Sequence, residues 1–192
     1  MLDKIIFLMK KNRLILAEDD EIVVKYGLEL LFNTVISVSV LMIIGILMGY
    51  FKETILFYLT YLFLKKNTGG YHANSHLGCV LQFNSFCLII FLLYRYSLLP
   101  ICETAILFLL IVSVFFFAPV EDHNKEVLPD QLLLHKHTCR RNTIFLVILC
   151  ICLKLLHVPT NSMYNFFYLG MLMISITILL GSFKNHLTKD GK

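Results

Sequence analysis

At 192 residues, with 58% hydrophobic and only 16% charged side chains and a mean hydropathy of +0.76, the chain carries more apolar surface than a soluble domain buries. A soluble enzyme is excluded, and with a net charge of +4 no nucleic-acid partner is expected. What remains is an all-α polytopic membrane protein, one integral domain over 1–192 with room for about six transmembrane helices of roughly 20 residues.

Residues 2–16 interleave Lys4, Lys10, Lys11 and Arg13 with apolar side chains and offer no small-residue cleavage site. Segment 1–17 therefore reads as an N-terminal amphipathic helix lying in the membrane interface, not a signal peptide. After the acidic cluster 18–21, spans are expected at 28–51, 54–64, 77–99, 101–118, 143–158 and 163–183. Pro100 separates the third from the fourth, and a Pro-Thr-Asn-Ser turn divides the last two. The second run is short for a span and ends at Lys65-Lys66. Segments 119–142 and 184–192 are polar and read as a loop and a tail.

Placing both termini inside puts all but Lys52, Arg95 and Lys154 of the seventeen basic residues on the cytoplasmic side. The expected topology is thus N-in and C-in, in the cytoplasmic membrane. Cys87, Cys102, Cys150 and Cys152 fall in apolar runs, where a reduced thiol packs as a small hydrophobe; only Cys79 and Cys139 have polar neighbours.

Between spans two and three, segment 67–79 gathers Gly69-Gly70, His72 and Cys79 at the cytoplasmic face. Gly-Gly permits backbone angles that end a helix and turn the chain back. If the next helix starts near Asn74 or Ser75, both good N-caps, Cys79 lies in its first two turns, where the helix dipole favours a thiolate. Lys65 and Lys66 add positive field. Such a pair would do acyl transfer, the thiolate attacking a carbonyl and the imidazolium protonating the leaving amine. A histidine and a cysteine seven apart equally fit two side chains that only pack at a membrane boundary. His76 competes with His72 for the thiol. A zinc site lacks an acidic residue nearby, so neither metal nor cofactor is expected.

The group His135-Lys-His137-Thr-Cys139 reads as a solvated basic surface and Arg95 as a snorkelling side chain. Gln82 and Asn84, one turn past the thiol, either bind substrate or hydrogen-bond between helices.

Gly69-Gly70-Tyr71-His72-Ala73 followed by Cys79 resembles the signature of the accessory gene regulator B family, membrane endopeptidases that mature cyclic peptide pheromones. Ala118-Pro119-Val120 with the polar residues after it is similar to that family's Ala-Pro motif, and the length and hydropathy also match. The resemblance implies that His72 and Cys79 are catalytic and that Gly70 supports them. Lys65 stands where the family often has arginine, keeping the charge and losing the planar fork. It implies a small precursor peptide with an amphipathic N-terminal helix and an acidic C-terminal tail. Cys79 cuts that precursor through a thioester, which then closes to a thiolactone or lactone. The bilayer would hold the helix, and Lys65, Lys66, Lys125, Lys136, Arg140 and Arg141 would attract the tail unless they serve topology alone. A homodimer is implied as well. The competing readings are a small peptide permease or exporter, with Gln82, Asn84 and Arg95 along its path, and a non-catalytic scaffold.

Overall fold

In lipid a backbone amide has no water to turn to, so apolar segments must satisfy their amides internally, and helices do this within one segment. The computed structural model describes residues 2–11, 18–71, 73, 75–97, 102–120, 129–156 and 161–190, and among them there is no strand. The helices are α1 (Leu2–Lys11), α2 (Glu18–Met48), α3 (Phe51–Thr68), α4 (His76–Arg95), α5 (Glu103–Val112), α6 (Pro129–Leu155) and α7 (Asn161–Asp190). A π-helical turn, Ser113–Phe117, prolongs α5.

Among the described residues, three helical stretches are long and apolar enough to cross a membrane: Glu21–Met48, Leu77–Arg95 and Ser162–Leu187. The apolar stretch Glu103–Phe117 is shorter. The expected span 54–64 and residues 143–155 of the expected span 143–158 lie in helices of mixed character, and 157–158 fall outside the described residues. Lys52-Glu53 and Lys65-Lys66 bracket the apolar part of α3, and the first half of α6 is polar. Helix also runs further than expected into the polar segments. The loop read over 119–142 turns helical at Pro129, and the tail read from 184 continues α7 to Asp190. The family of side chains explains this, since Gln, Leu, His, Lys and Arg are good or tolerable helix residues and no glycine or proline follows Pro129 within α6.

Helix α7 is the axis of the bundle. Phe166, Leu169, Met171, Met173, Ile174 and Ile178 on it are fully buried. Gly170 lets α3 cross it closely, because a Cβ there would lie 2.8 Å from the Phe57 carbonyl oxygen and 3.0 Å from Thr60 Cβ. Phe57 of α3, Phe91 of α4 and Phe166 of α7 meet edge to face or tilted, with ring centroids 4.9–5.1 Å apart. Buried Thr54, Thr60, Thr68, Ser175 and Thr177 donate to carbonyls three or four residues back, so the apolar interior holds no stray hydroxyl at these positions.

Helix α2 lies at the rim. It packs on α3 and α4 while Leu31, Val35, Ile43 and Leu47 stay exposed, a surface that lipid tails would cover. Its turn into α3 is tight: Gly49 has φ +79° and Tyr50 N–H donates to Gly45 O at 2.8 Å.

Candidate active site

Helix α3 ends at Gly69, whose φ of +66° and ψ of −137° suit a residue without Cβ, and Gly70 follows at φ +126°. A Cβ on Gly69 would drive into the Val120 carbonyl oxygen, and one on Gly70 would lie 2.9 Å from Lys65 Nζ and 3.2 Å from Thr177 O. Both glycines are thus fixed by angle and by space. The chain then crosses α7: Tyr71 N–H donates to Thr177 O at 2.8 Å, opposite Gly181, where a Cβ would stand 2.6 Å from Tyr71 N. On the other side Val120 N–H donates to Thr68 O at 2.9 Å, and Gly69 and Val120 form an isolated parallel bridge. The Ala-Pro element, with a cis Ala118–Pro119 peptide, therefore clamps the Gly-Gly turn against the C-terminal helix.

Ser75 caps α4 as expected, its Oγ accepting from Gly78 N–H at 3.1 Å. Cys79 N–H closes the first helical bond to Ser75 O at 3.0 Å, so the thiol stands in the opening turns with no acidic residue in the first turn to cancel the dipole. The chain folds back so that Ala73 N–H donates to Cys79 Sγ at 3.2 Å. The Cys79 thiol in turn faces Ala73 O at 3.8 Å, so the sulfur is held against the backbone of residue 73. Cys79 is partly buried, and none of the six cysteines is in a disulfide.

Cys79 opens onto a cavity of about 670 Å³ between α2, α3 and α4. Lys65, Lys66, Gly69 and Gln82, all singled out from sequence, line it. His72 and Lys125 lie outside the described residues. Asn84 is buried with its amide donating to Val80 O in its own helix, off the cavity wall. Arg140 serves the fold: its guanidinium donates to Phe115 O at 3.0 Å and stacks 5.1 Å over the Phe115 ring, meeting a carbonyl of the helix's last turn for which Pro119, four residues on, offers no N–H. Arg141 is exposed and away from the cavity.

Two parts of the group 135–139 find places that its alternate spacing concealed. His135 faces the cavity, and Cys139 is buried beneath, its thiol donating to Asn67 O at 2.8 Å. Burial pushes the Cys139 thiol up to about 11 and leaves it a poor nucleophile. Among the described residues no cluster of histidine, cysteine and acidic side chains could hold a metal ion.

The sequence as a whole matches the model of the accessory gene regulator B family over residues 2–178. The chain belongs to the accessory gene regulator B family. It is 28% identical over 176 residues to accessory gene regulator protein B of Staphylococcus aureus, covering 90% of this chain and 89% of that one. An AgrB-like protein of Listeria monocytogenes is 25% identical over 174 residues, covering 89% and 82%. AgrB-like protein 1 of Clostridium perfringens is 34% identical over 105 residues, covering 54% and 56%. No solved structure matches the chain. Membership, with the apolar helices, makes this a membrane protein tied to autoinducer-peptide processing in quorum sensing.

Proposed function

We propose that this accessory gene regulator B protein is a membrane-embedded cysteine endopeptidase and peptide cyclase working at the cytoplasmic face. The observation that carries the reading is the setting of Cys79. Its sulfur receives the Ala73 N–H at the start of α4 and stands at the mouth of a cavity large enough for several peptide side chains.

His72 takes the thiol proton and Cys79 Sγ attacks the carbonyl at the cleavage position of a small precursor peptide. The C–N bond breaks, the imidazolium gives its proton to the leaving amine, and the C-terminal segment departs while the upstream part stays as a thioester. A cysteine or serine side chain within the bound peptide then attacks that thioester, which closes a thiolactone or lactone and returns the thiol. The thioester keeps its acyl-transfer potential for this second step only if water is excluded, and a site cut into a lipid-facing bundle supports that. Lys65 and Lys66 at the cavity and the wider basic face suit an acidic C-terminal tail. Both termini lie inside on the distribution of Lys and Arg.

Co-expression with the precursor peptide of the same system, read by mass spectrometry of membranes, tests the proposal. Wild type should release the C-terminal segment, while Cys79→Ala and His72→Ala should lose cleavage by at least about a thousandfold. Normal cleavage by Cys79→Ala would discard it.

A further inference from the structure

Several contacts that hold the 67–79 segment converge on one face of α7. Thr177, Gly181 and Lys184 stand at i, i+4 and i+7 and so line up along that face. Thr177 O accepts from Tyr71 N–H at 2.8 Å, and Gly181 leaves the gap in which that nitrogen sits. Lys184 completes the row: its half-buried side chain sets Nζ 5.0 Å from the centroid of the Tyr71 ring, within reach of a cation–π attraction. Backbone and ring of Tyr71 are thus both held by one helix. Two residues on, Ala73 is held by Cys79, its N–H donating to Sγ at 3.2 Å and its carbonyl facing the thiol at 3.8 Å. Lys184 lies past residue 178, where the match to the family ends, so membership alone assigns it no role.

His72 is the residue between these two in the chain. A general base must come within a hydrogen bond of the thiol, and a misplacement of about 1 Å costs a large factor in rate. A bond at the Tyr71 nitrogen alone leaves that residue free to turn about its N–Cα bond, and the turn would swing the onward chain. Holding the ring as well stops it, since the ring and the onward carbonyl leave the same Cα. Resting on the endopeptidase reading, we infer that Lys184 is a positioning residue: its ammonium, seated on the Tyr71 ring, sets the direction in which the chain leaves Tyr71 and so holds the His72 imidazole to Cys79. It acts through Tyr71, without contact to the peptide. The C-terminal end of α7 is thereby part of the frame of the reaction.

Two readouts on membranes carrying the full chain test this. The first is the pH dependence of Cys79 alkylation by iodoacetamide, with the Cys79-containing peptide quantified by mass spectrometry. Lys65, Lys66, His135 and the phenols of Tyr26, Tyr58 and Tyr61 line the same cavity and share in setting the pH at which the thiol reacts, so the variants are read as shifts against wild type. Lys184→Gln and Tyr71→Leu should each move the profile about one pH unit higher, a rate about tenfold lower at neutral pH, since a misplaced imidazole no longer holds the thiolate. Combined, they should cost no more than either alone, and in a His72→Ala background Lys184→Gln should add nothing. Lys184→Arg and Tyr71→Phe, which keep a cation over a ring, should recover most of the loss. A shift with Lys184→Gln that Tyr71→Leu does not share, or that survives in His72→Ala, overturns the inference, as does no shift at all. Should thermal unfolding show that Tyr71→Leu fails to fold, Lys184→Gln against Lys184→Arg and the His72→Ala background decide. The second readout is precursor cleavage, in which Lys184→Gln should lower kcat about tenfold with KM within about twofold of wild type. A raised KM with kcat kept makes Lys184 a peptide contact and overturns the positioning role. If wild type cuts no peptide while the alkylation profile still moves as described, the endopeptidase reading fails and the Lys184–Tyr71 clamp stands.

Discussion

The two ends of the bundle are fastened differently. At the inner end, around Gly69, Tyr71 and Val120, the side-chain bonds of Cys139 and Arg140 are joined by bonds from backbone to backbone, Tyr71 N–H to Thr177 O and Val120 N–H to Thr68 O. At the outer end, among the described residues, side chains alone tie together segments distant in sequence. Glu103 of α5 pairs with Lys154 of α6 and accepts from Tyr168 OH at 3.3 Å, and Cys150 donates to that same hydroxyl at 2.9 Å. Ser162 donates to Glu53, and Arg95 donates to Met48 O. A site that must aim an N–H at a sulfur needs the path of the main chain prescribed, whereas helix ends that need only stay together are served by adaptable side chains.

If that contrast is right, the inner end breaks hardest. Gly69→Ala should cost about 3 kcal/mol or more, since the new Cβ meets the Val120 carbonyl at an angle that residues with a side chain avoid. Thermal unfolding in detergent measures the loss, and cleavage should disappear with it. A Gly69→Ala protein as stable as wild type would remove the clamp from the account.

The Cys139 thiol sharpens the comparison through pH. Its folded value is raised from 9.0 to about 11, so burial favours the neutral thiol. That contribution is whole below 9.0 and is lost as pH rises through about 11. Alkylation by N-ethylmaleimide should therefore spare Cys139 near neutral pH and reach it only in the alkaline range. Ready modification of Cys139 below 9.0 would mean that the Asn67 contact does not hold it.

Smaller effects follow. Ser75→Ala removes the cap of α4 and should cost about 1 kcal/mol, with slower alkylation of Cys79 because the opening turn frays around it. At the outer end Glu103→Gln should leave the melting temperature almost unchanged and Cys79 alkylation unaltered, as Lys154 is largely exposed and the pair is screened. A change in Cys79 reactivity from that distant substitution would show that the two ends are coupled through α7.

Much of this was legible in the chain. The apolar runs located the helices because bilayer burial leaves so little choice, and Gly69-Gly70 with Ser75 announced the turn and the cap through backbone chemistry that is local. What stayed hidden depends on partners distant in sequence. Asn84, open in sequence to substrate or to a neighbouring helix, donates to a carbonyl of its own helix, and Arg140, open to the peptide tail or to topology, donates to the distant Phe115 carbonyl. His135, Asn33 and Ser37 reach the cavity only because α6 and α2 are laid beside α3 and α4. Gly181 carried no local signal, since its neighbours read as ordinary helix and its role is to make room for Tyr71.

That crossing at Gly181 also sets an order of events during biosynthesis. Cys79 leaves the ribosome long before Thr177 and Gly181, the residues that receive the Tyr71 backbone. A nascent chain already holds Cys79 but lacks α7, against which the Gly-Gly turn is pinned. The Cys79 segment thus waits for α7, and a chain cut short before residue 177 would carry Tyr71 without the carbonyl and the glycine gap that fix its backbone.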